Sequence, residues 1–330
     1  QGRYLRLPFD VPANTDRVEV EYAYSRFATD ELPEGRRRRE ASIVDLGLYD
    51  ESGRLRGWSG SERASVAISA SSATPGYTAG PVGAGRWAVS LGLYKVSGAV
   101  EVRVTIRLPE KRETLLAGDL HVHTVNSDGS LRTAELVELC RREGLDFVAL
   151  TDHNSTRQND EIGRENGITV IPGMEYTNYR GHANFFFPAA NGRFEADPLS
   201  NSLEEMRDTV EAARAMGATV SLNHPYNHLC PWTFGFEGFH WDLVEAWNGT
   251  GDPGNARTIA WWHDLLCRGA RTPVVGGSDF HRHELLRHVG APATFVYAAS
   301  RGADDIVAAL RAGRSFIAFS KAGPLLDLRI

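Results

Sequence analysis

The sequence predicts an α/β protein with two unequal domains, an antiparallel β-sandwich over residues 1–112 and an α/β barrel over residues 113–330. The length of 330 residues is too great for one small domain. Apolar residues recur with a period of two in the first part, whereas strand-like and helix-like segments alternate in the second. All eleven histidines lie in the second part. These three observations place the domain boundary near residue 112.

In the first domain, apolar and polar residues alternate as in half-buried strands, most clearly at residues 17–22 and 99–108. Residues 43–49 and 87–96 are further apolar runs bounded by turn residues. No helical period appears, so we expect an antiparallel β-sandwich with a structural or substrate-shaping role. The four arginines at 36–39 are expected to form a solvated loop, because like charges repel each other.

In the second domain, strands and helices alternate after a charged hinge at 110–113. Strands are predicted at residues 116–121, 147–150, 168–171, 183–187, 218–222, 243–246, 273–275 and 293–297. Helices are predicted at residues 133–142, 203–216, 257–267 and 303–312. Gly144 is expected to end the first of these helices. Such alternation favours an α/β barrel over an open sheet.

Composition and charge exclude several classes of function. The net charge of −6 provides no basic surface of the kind that binds duplex nucleic acid. No apolar run approaches the roughly 18 residues of a membrane-spanning helix, so we expect a soluble protein. It is either cytoplasmic or exported, since a leader removed before Gln1 would leave no trace. Cys140, Cys230 and Cys267 are predicted to be structural thiols. Residues 325–330 resemble a strand without a closing element, so we expect the natural protein to continue past Ile330.

Side chains that bind metals stand at the ends of the predicted strands. His121 and His123 end one strand, and their spacing of two points both the same way. His153 follows the next strand, and Glu175 follows another through a turn at 172–173. Nearly all of nine ligand-type residues have this placement: His121, His123, Asp128, His153, Glu175, His182, His224, Asp279 and His281. Because strand ends of a barrel converge on one mouth, we expect a single metal site. Imidazole with carboxylate suits Zn, Mn or Fe.

The order and spacing of these residues resemble the PHP (polymerase and histidinol phosphatase) family of metallohydrolases. The resemblance spans residues 117–320 and rests on four motifs: His121-Val122-His123; Thr151-Asp152-His153; Asn223-His224-Pro225, with the preceding Gly173-Met174-Glu175 and His182; and Ser278-Asp279-Phe280-His281. It implies a distorted seven-stranded (β/α) TIM-like barrel with a trinuclear metal site. The first domain, together with residues 244–249, resembles the carbaryl-hydrolase-like branch of this family.

The resemblance also implies how the nine residues would share the ions. The first ion would be held by His121, His123, Glu175 and Asp279. The second would be held by Glu175 as a bridge, with His182 and His224. The third would be held by Asp128, His153 and His281. We therefore expect two to three divalent cations, Mn, Zn or Fe, as cofactors.

Such a site predicts hydrolysis, because closely spaced divalent ions lower the pKa of a bridging water toward about 7 and supply hydroxide. A phosphate monoester or small diester fits best, since its oxygens can each bind a metal. Glu175, Asp128 and Asp279 are predicted to be catalytic, and His283 to orient substrate or donate a proton. Asp152 is predicted to support a ligand or to cap the following turn. Substrate binding is predicted for Arg180, Arg282, Asn154, Asn184 and Tyr226.

Two other functions stay open at this stage. One is hydrolysis of a carbamate, amide or carboxylic ester on the same metals. The other is a non-enzymatic metal-binding or carbohydrate-binding module, which the complete ligand set disfavours. We expect a small phosphorylated molecule as the substrate, and the acidic balance makes nucleic acid the weaker option. The sequence does not identify the substrate, the native metal or the oligomeric state.

Overall fold

The structure, a computed structural model, describes residues 2–27, 40–162, 167–187, 193–236, 238–285 and 287–326. The arginine run at 36–39 and the end of the predicted terminal strand, residues 327–330, lie outside the described residues. The chain divides into two compact units, Gln1–Arg112 and Glu113–Ile330. No helix in the described ranges is long and apolar enough to span a membrane.

The described part of the first unit is an all-β structure with two antiparallel sheets. One sheet has the strand order β1-β6-β3-β4 and the other β5-β2-β7. The strands are β1 Arg3–Val11, β2 Arg17–Tyr24, β3 Ile43–Tyr49, β4 Leu55–Trp58, β5 Ser65–Ser69, β6 Gly85–Lys95 and β7 Val102–Arg107. Buried residues from both sheets, among them Val20, Leu46 and Trp87, form one hydrophobic core. This shared core is what holds two antiparallel sheets face to face.

The second unit is built around a mixed nine-stranded sheet. Its strand order is β14-β13-β12-β11-β10-β9-β8-β15-β16. The strands are β8 Thr114–Val122, β9 Phe147–Leu150, β10 Thr169–Asn178, β11 Gly181–Phe186, β12 Thr219–Leu222, β13 Leu243–Asn248, β14 Val274–Gly277, β15 Ala293–Ala298 and β16 Ser315–Ala318. The helices are α1 Thr133–Arg142, α2 Leu203–Ala215, α3 Gly254–Cys267 and α4 Ala303–Arg311.

The sheet nearly closes into a barrel, because the segment after β14 returns to the end of β8. Asp279 N donates to the His121 carbonyl at 2.8 Å, and His123 N donates to the Phe280 carbonyl at 2.9 Å. Val122 and Phe280 also form a parallel bridge. The segment after the edge strand β14 is therefore joined to β8, with β15 and β16 lying beyond this junction, at the place where the predicted ligands lie.

The predicted strand–helix alternation is only partly present. Helices α1, α2 and α3 connect β8 to β9, β11 to β12 and β13 to β14. In contrast, β10 and β11 form an antiparallel hairpin, and β11 is also antiparallel to β12. Within the residues described between β12 and β13, no α-helix is found. The sheet is therefore mixed rather than a regular repeat of parallel strand and helix.

The sequence prediction that Glu175 follows a turn at 172–173 was wrong, since β10 continues without interruption through this point. Pro172 pairs with Leu150, and its carbonyl accepts a hydrogen bond from Phe187 N at 2.8 Å. A Cβ on Gly173 would lie only 2.8 Å from the Leu150 carbonyl oxygen, so glycine permits this close approach. Pro172 and Gly173, residue types that usually interrupt strands, thus lie within the continuous strand β10.

Candidate metal centre

Glu175 lies at the centre of the site, surrounded by five histidines from different segments. Three imidazole nitrogens lie 3.2–3.3 Å from its Oε1 atom: His121 Nε2, His182 Nδ1 and His224 Nε2. Two more lie 3.0 and 3.6 Å from its Oε2 atom: His153 Nδ1 and His123 Nε2. Strands β8, β10 and β11 and the segments directly after β8, β9 and β12 supply these residues. The fold therefore brings together what the sequence separates by about a hundred residues.

Asp128 and Asp279 complete two further parts of the site. Asp128 Oδ1 lies 3.3 Å from His281 Nε2 and 3.6 Å from His153 Nε2. Asp279 Oδ1 lies 3.1 Å from His123 Nε2. All nine predicted ligand residues are consequently in contact through one connected set of side chains.

Four groups of three or four potential ligand atoms lie within 4.8 Å of one another among the described residues. They are His123/Asp128/His153/His281, His182/His224/Cys230, His121/His224/Asp279 and His121/His123/Glu175. The first contains the three residues that the family resemblance implies for a third ion. Cys230, predicted to be a structural thiol, joins the second group with its Sγ atom 3.9 Å from His224 Nδ1.

Several buried ring nitrogens in the site have no hydrogen-bond partner. These atoms are His121 Nε2, His123 Nδ1 and His182 Nδ1. Each lies near a carboxylate, but the geometry is not that of a hydrogen bond. A buried polar atom without a partner costs about 1–3 kcal/mol, so proteins rarely leave several together. Divalent cations would satisfy these atoms, and the donor set of imidazole and carboxylate fits Zn, Mn or Fe.

The backbone is strained at two of the predicted ligands. His224 has a φ of 25° and Asp279 a φ of 53°, in the left-handed region that residues other than glycine rarely adopt. Each such residue costs on the order of 1–3 kcal/mol and persists only where surrounding contacts hold it. Here, Asp279 N donates to the His121 carbonyl, and His224 N donates to Glu245 Oε2 at 3.1 Å. The fold thus maintains two unfavourable conformations at ligand positions.

Charges within the site shift the pKa values of its members. Burial raises the pKa of Glu175, but His121, His182 and His153 outweigh it and hold the pKa well below its usual range. Burial also raises the pKa of Asp128, yet the hydrogen bond to His281 and nearby imidazoles lower it to about 2. These carboxylates are therefore ionised at neutral pH, as cation binding requires.

The imidazoles differ in the direction in which their surroundings shift the pKa. Burial lowers the pKa of His123 to about 4, so this ring is neutral and can bind a cation directly. Burial also lowers the pKa of His121, but Glu175 and Glu245 raise it well above its usual value. The pKa of His224 is likewise raised, by Cys230 and Glu175 against the effect of burial. Cation binding would have to displace protons from these two rings.

Two buried carboxylates were not recognised as part of the site from the sequence. Asp119 accepts hydrogen bonds from the backbone of His121 and of Ser278, at 3.1 and 2.9 Å. Glu245 Oε1 lies 2.9 Å from His121 Nδ1. Each is the only acidic residue of its strand and has Leu, Val, Ala or Gly on both sides, and this placement was the signal that could have identified it.

Asp152 supports the loop that carries Asp128. Its carboxylate accepts from Thr124 N at 2.8 Å and from Ser127 Oγ at 2.7 Å. These contacts stabilise the turn after β8, rather than the turn that follows Asp152 itself. Asp152 therefore supports Asp128, a predicted ligand, through the loop that carries it.

The predicted substrate-binding residues differ widely in their surroundings. The Arg180 guanidinium lies 4.3 Å from the centre of the Phe234 ring, and Arg282 Nε pairs with Glu284 at 2.9 Å. The Asn154 side chain donates to and accepts from the backbone of Thr177. All three side chains already have partners.

Asn184, Tyr226 and His283 lie outside the four groups of ligand atoms. Asn184 is buried and donates to the Leu120 carbonyl at 3.2 Å, while its Oδ1 atom has no partner. Tyr226 packs against aromatic neighbours, including Trp261. His283 is exposed on the segment after β14. Their roles in substrate binding or catalysis stay predictions.

The site opens to solvent on one side. The side chains of His121, His123 and Glu175 are at most 1% exposed. Those of Asp128, His153 and His281 are 57%, 24% and 22% exposed. A molecule from solution would therefore reach Asp128 and its two histidines first.

Comparison with known proteins supports a metal-dependent hydrolase. Residues 119–230 match the PHP domain family. An uncharacterized protein of Methanocaldococcus jannaschii is 26% identical over 161 residues, which are 44% of this chain and 89% of that protein. A 5′-3′ exoribonuclease of Haemophilus influenzae is 40% identical over 67 residues, which are 19% of this chain and only 24% of that protein.

A solved structure from Bacteroides vulgatus is also similar. It is described as a two-domain protein containing a predicted PHP-like metal-dependent phosphoesterase. Its sequence identity is 25%, with 65% of this chain and 68% of that chain covered and a TM-score of 0.47. The PHP-domain match and the groups of histidines and carboxylates together fit a metal-dependent hydrolase.

Proposed function

We propose that this protein is a metal-dependent phosphoesterase that hydrolyses a phosphate monoester or a small phosphodiester at a trinuclear site. The observation that carries the proposal is Glu175, a buried carboxylate within 3.6 Å of five imidazole nitrogens. Two of those nitrogens, His121 Nε2 and His182 Nδ1, have no hydrogen-bond partner. Such an arrangement is costly unless cations bind to it.

The proposed ligand sets are those that the family resemblance implies, and each contains at least one of the carboxylates of Glu175, Asp128 and Asp279. His121, His123, Glu175 and Asp279 would hold one ion. Glu175, His182 and His224 would hold a second. Asp128, His153 and His281 would hold the third. The short distances from Asp128 to His281 and His153 support the last set.

When bound, divalent ions lower the pKa of a coordinated water toward about 7 and neutralise negative charge on substrate oxygens. The protein's own groups hold the carboxylates in place for this chemistry. Asn223 Nδ2 donates to Glu175 Oε1 at 2.8 Å, which fixes the rotation of that carboxylate. The Arg287 guanidinium contacts Asp279 Oδ2 at 3.0 Å and its backbone carbonyl at 2.7 Å.

Charge balance favours an anionic substrate. Glu175, Asp128 and Asp279 would offset only half of the charge of three divalent ions, and the histidines bind cations in their neutral form. The remaining positive charge would attract phosphate oxygens entering beside the exposed Asp128. The exoribonuclease of Haemophilus influenzae, which matches part of this domain, supports phosphodiester chemistry. The net charge of −6 favours a small molecule over a long nucleic acid.

The proposal is tested by turnover of the purified full chain on three chromogenic substrates, an aryl phosphate, an aryl phosphodiester and an aryl carbamate. Each is assayed with added Mn²⁺, after chelation, and after the metal is restored. We expect hydrolysis of at least one phosphate ester that is lost with chelation and recovered with the metal. Turnover of the carbamate alone would replace the proposal with the alternative hydrolase. A metal-replete protein inactive on all three would contradict enzymatic phosphoester hydrolysis.

The assignment to the carbaryl-hydrolase-like branch and the seven-stranded barrel count belong to the same proposal. Both rest on the family resemblance rather than on the residues 119–230 that match the PHP domain. The nearly closed sheet, joined between β8 and the segment after β14, is compatible with seven strands from β8 to β14 around the barrel.

A further inference from the structure

Glu245 is a buried carboxylate that connects two of the proposed metal ligands. It lies on β13 and is only 2% exposed. Its Oε1 atom lies 2.9 Å from His121 Nδ1. Its Oε2 atom accepts from His224 N at 3.1 Å and from Asn248 Nδ2 at 3.2 Å. Among the described residues, His121 is its one ion-pair partner.

An ionised carboxylate can only accept hydrogen bonds, so the contact with Glu245 requires a proton on His121 Nδ1. The opposite nitrogen, Nε2, is then free to bind a cation whenever the ring is neutral. That nitrogen lies 3.3 Å from Glu175 Oε1 and 3.5 Å from Asp279 Oδ1, and it has no hydrogen-bond partner. The carboxylate thus selects the tautomer and orients the ring toward the other ligands.

The second oxygen of Glu245 acts on a different ligand. His224 has a left-handed backbone, and its N–H is held by Glu245 Oε2. The rings of His121 and His224 also lie nearly parallel, with centroids 5.8 Å apart. One side chain therefore supports a ring on β8 and a strained residue after β12 at the same time.

We propose that Glu245 is a positioning residue of the metal centre, which sets the His121 tautomer and holds the His224 backbone. The inference rests on the proposed metal site but not on the identity of the substrate. It therefore predicts an effect on metal affinity that is separate from any effect on phosphoester turnover.

Glu245→Gln is the informative substitution, because an amide cannot replace both oxygens. If its NH₂ group faces His224 N and Asn248 Nδ2, three hydrogen-bond donors face one another and both hydrogen bonds are lost. If the NH₂ group faces His121 Nδ1, the ring must carry its proton on Nε2, which cannot then bind a cation. Either orientation disrupts one of the two supported ligands while side-chain volume stays nearly the same.

Asp146→Asn provides a matched control on the same sheet. Asp146 precedes β9, at the opposite end of that strand from His153. Its carboxylate accepts from Ala117 N at 3.0 Å and pairs with Arg301 and Lys321 at 3.0 Å. Replacing it removes a partly buried, paired charge without touching a proposed ligand.

The experiment measures Zn²⁺ affinity of the metal-stripped full chain by competition with a chromophoric chelator, with circular dichroism as a check on folding. We expect Glu245→Gln to weaken the tightest Zn²⁺ binding by about 10- to 100-fold, the range for partners of ligating histidines. Asp146→Asn should leave Zn²⁺ affinity unchanged. A folded Glu245→Gln protein with wild-type Zn²⁺ affinity would overturn the proposal.

A second measurement applies if Glu245→Gln fails to fold. Nitrogen-15 NMR of histidine-labelled, Zn²⁺-loaded wild-type protein reports which ring nitrogen of His121 carries the proton. A proton on Nδ1 supports the proposal, and a proton on Nε2 contradicts it. Neither outcome depends on phosphoesterase activity, so failure of the proposed function would be recognised separately.

Discussion

The two units of this protein differ in whether all of their described buried polar side chains have hydrogen-bond partners. In the first unit, Arg56 is 1% exposed, and its guanidinium donates to the carbonyls of Thr78, Gly80 and Pro81. Asp50, also buried, accepts from the Arg54 backbone at 2.9 Å. In the second unit, His121 and other rings are equally buried, yet ring nitrogens remain without hydrogen-bond partners. Within the described residues of the first unit, no buried side-chain nitrogen or oxygen lacks a partner.

This difference distinguishes buried polar side chains that stabilise the fold from buried polar side chains that are available to bind a ligand. A buried charge whose hydrogen bonds are all made adds to the cohesion of its own unit. A set of buried atoms left without partners reduces stability unless something binds there. The presence of buried histidines alone would not indicate a binding site, because a single buried histidine is usually hydrogen-bonded. The informative feature is the pair of unpartnered ring nitrogens, His121 Nε2 and His182 Nδ1, beside the buried carboxylate of Glu175.

The largest expected effect concerns Glu175. Glu175→Gln keeps the size of the side chain but removes the charge that would offset two neighbouring cations. We expect loss of bound metal and a fall in turnover of more than about 100-fold, beyond the range for residues that only support a ligand. Metal analysis and steady-state kinetics measure both.

His283→Ala is the control for Glu175→Gln, because His283 lies near the site in sequence but outside the groups of ligand atoms. It should retain the metals and change only rate or substrate preference. A Glu175→Gln protein with full metal content and near wild-type turnover would refute the bridging role.

In the first unit, we expect a substitution to lower the free energy of unfolding without changing the metal content. Arg56→Ala removes a fully paired buried cation and leaves three carbonyls without their donor, so we expect a loss of about 3 kcal/mol in the free energy of unfolding. Urea denaturation measures this loss, and metal content should be unchanged. If Arg56→Ala released metal from the folded chain, the distinction between the two units would be false.

The smallest effect on metal binding is expected from removing residues 1–112. All proposed ligands lie after this point, so the remaining chain should fold and bind the same number of ions. Metal analysis of the truncated protein tests this expectation. Loss of activity with metals retained would assign substrate shaping to the first unit, whereas a folded but metal-free product would place the domain boundary elsewhere.

Local sequence signals predicted part of this fold well. Helix α1 has the predicted bounds, because Leu136, Val137 and Cys140 form one buried face and Glu135 caps the backbone of Arg132. Strand β1 was missed, since nearly all of its residues are exposed and no alternation of burial marks it. The hairpin of β10 and β11 was also missed, because the predicted turn at 172–173 ended the first strand at residue 171, before the two-residue connection at 179–180 that requires antiparallel pairing.

The sequence predicted which residues carry the potential ligand atoms, but not which residues hold those side chains in place. Strand-end placement, since such ends converge in a barrel, and the family resemblance predicted nine ligands, and the structure brings their side chains together. Their binding of metal stays a prediction. The partners of those residues could not be identified in the same way. Glu245 contacts His121 and His224, and Asp119 contacts Ser278, only once distant segments have come together, so these contacts are tertiary.

The central claim, that the unpartnered nitrogens mark a polynuclear metal site, is tested most directly by counting ions. The full chain is purified from metal-replete medium, and its metal content is measured by inductively coupled plasma mass spectrometry against protein concentration. We expect two to three first-row divalent ions per chain, because nine ligand residues exceed what one tetrahedral ion can use. A preparation that holds one ion or none would contradict the account.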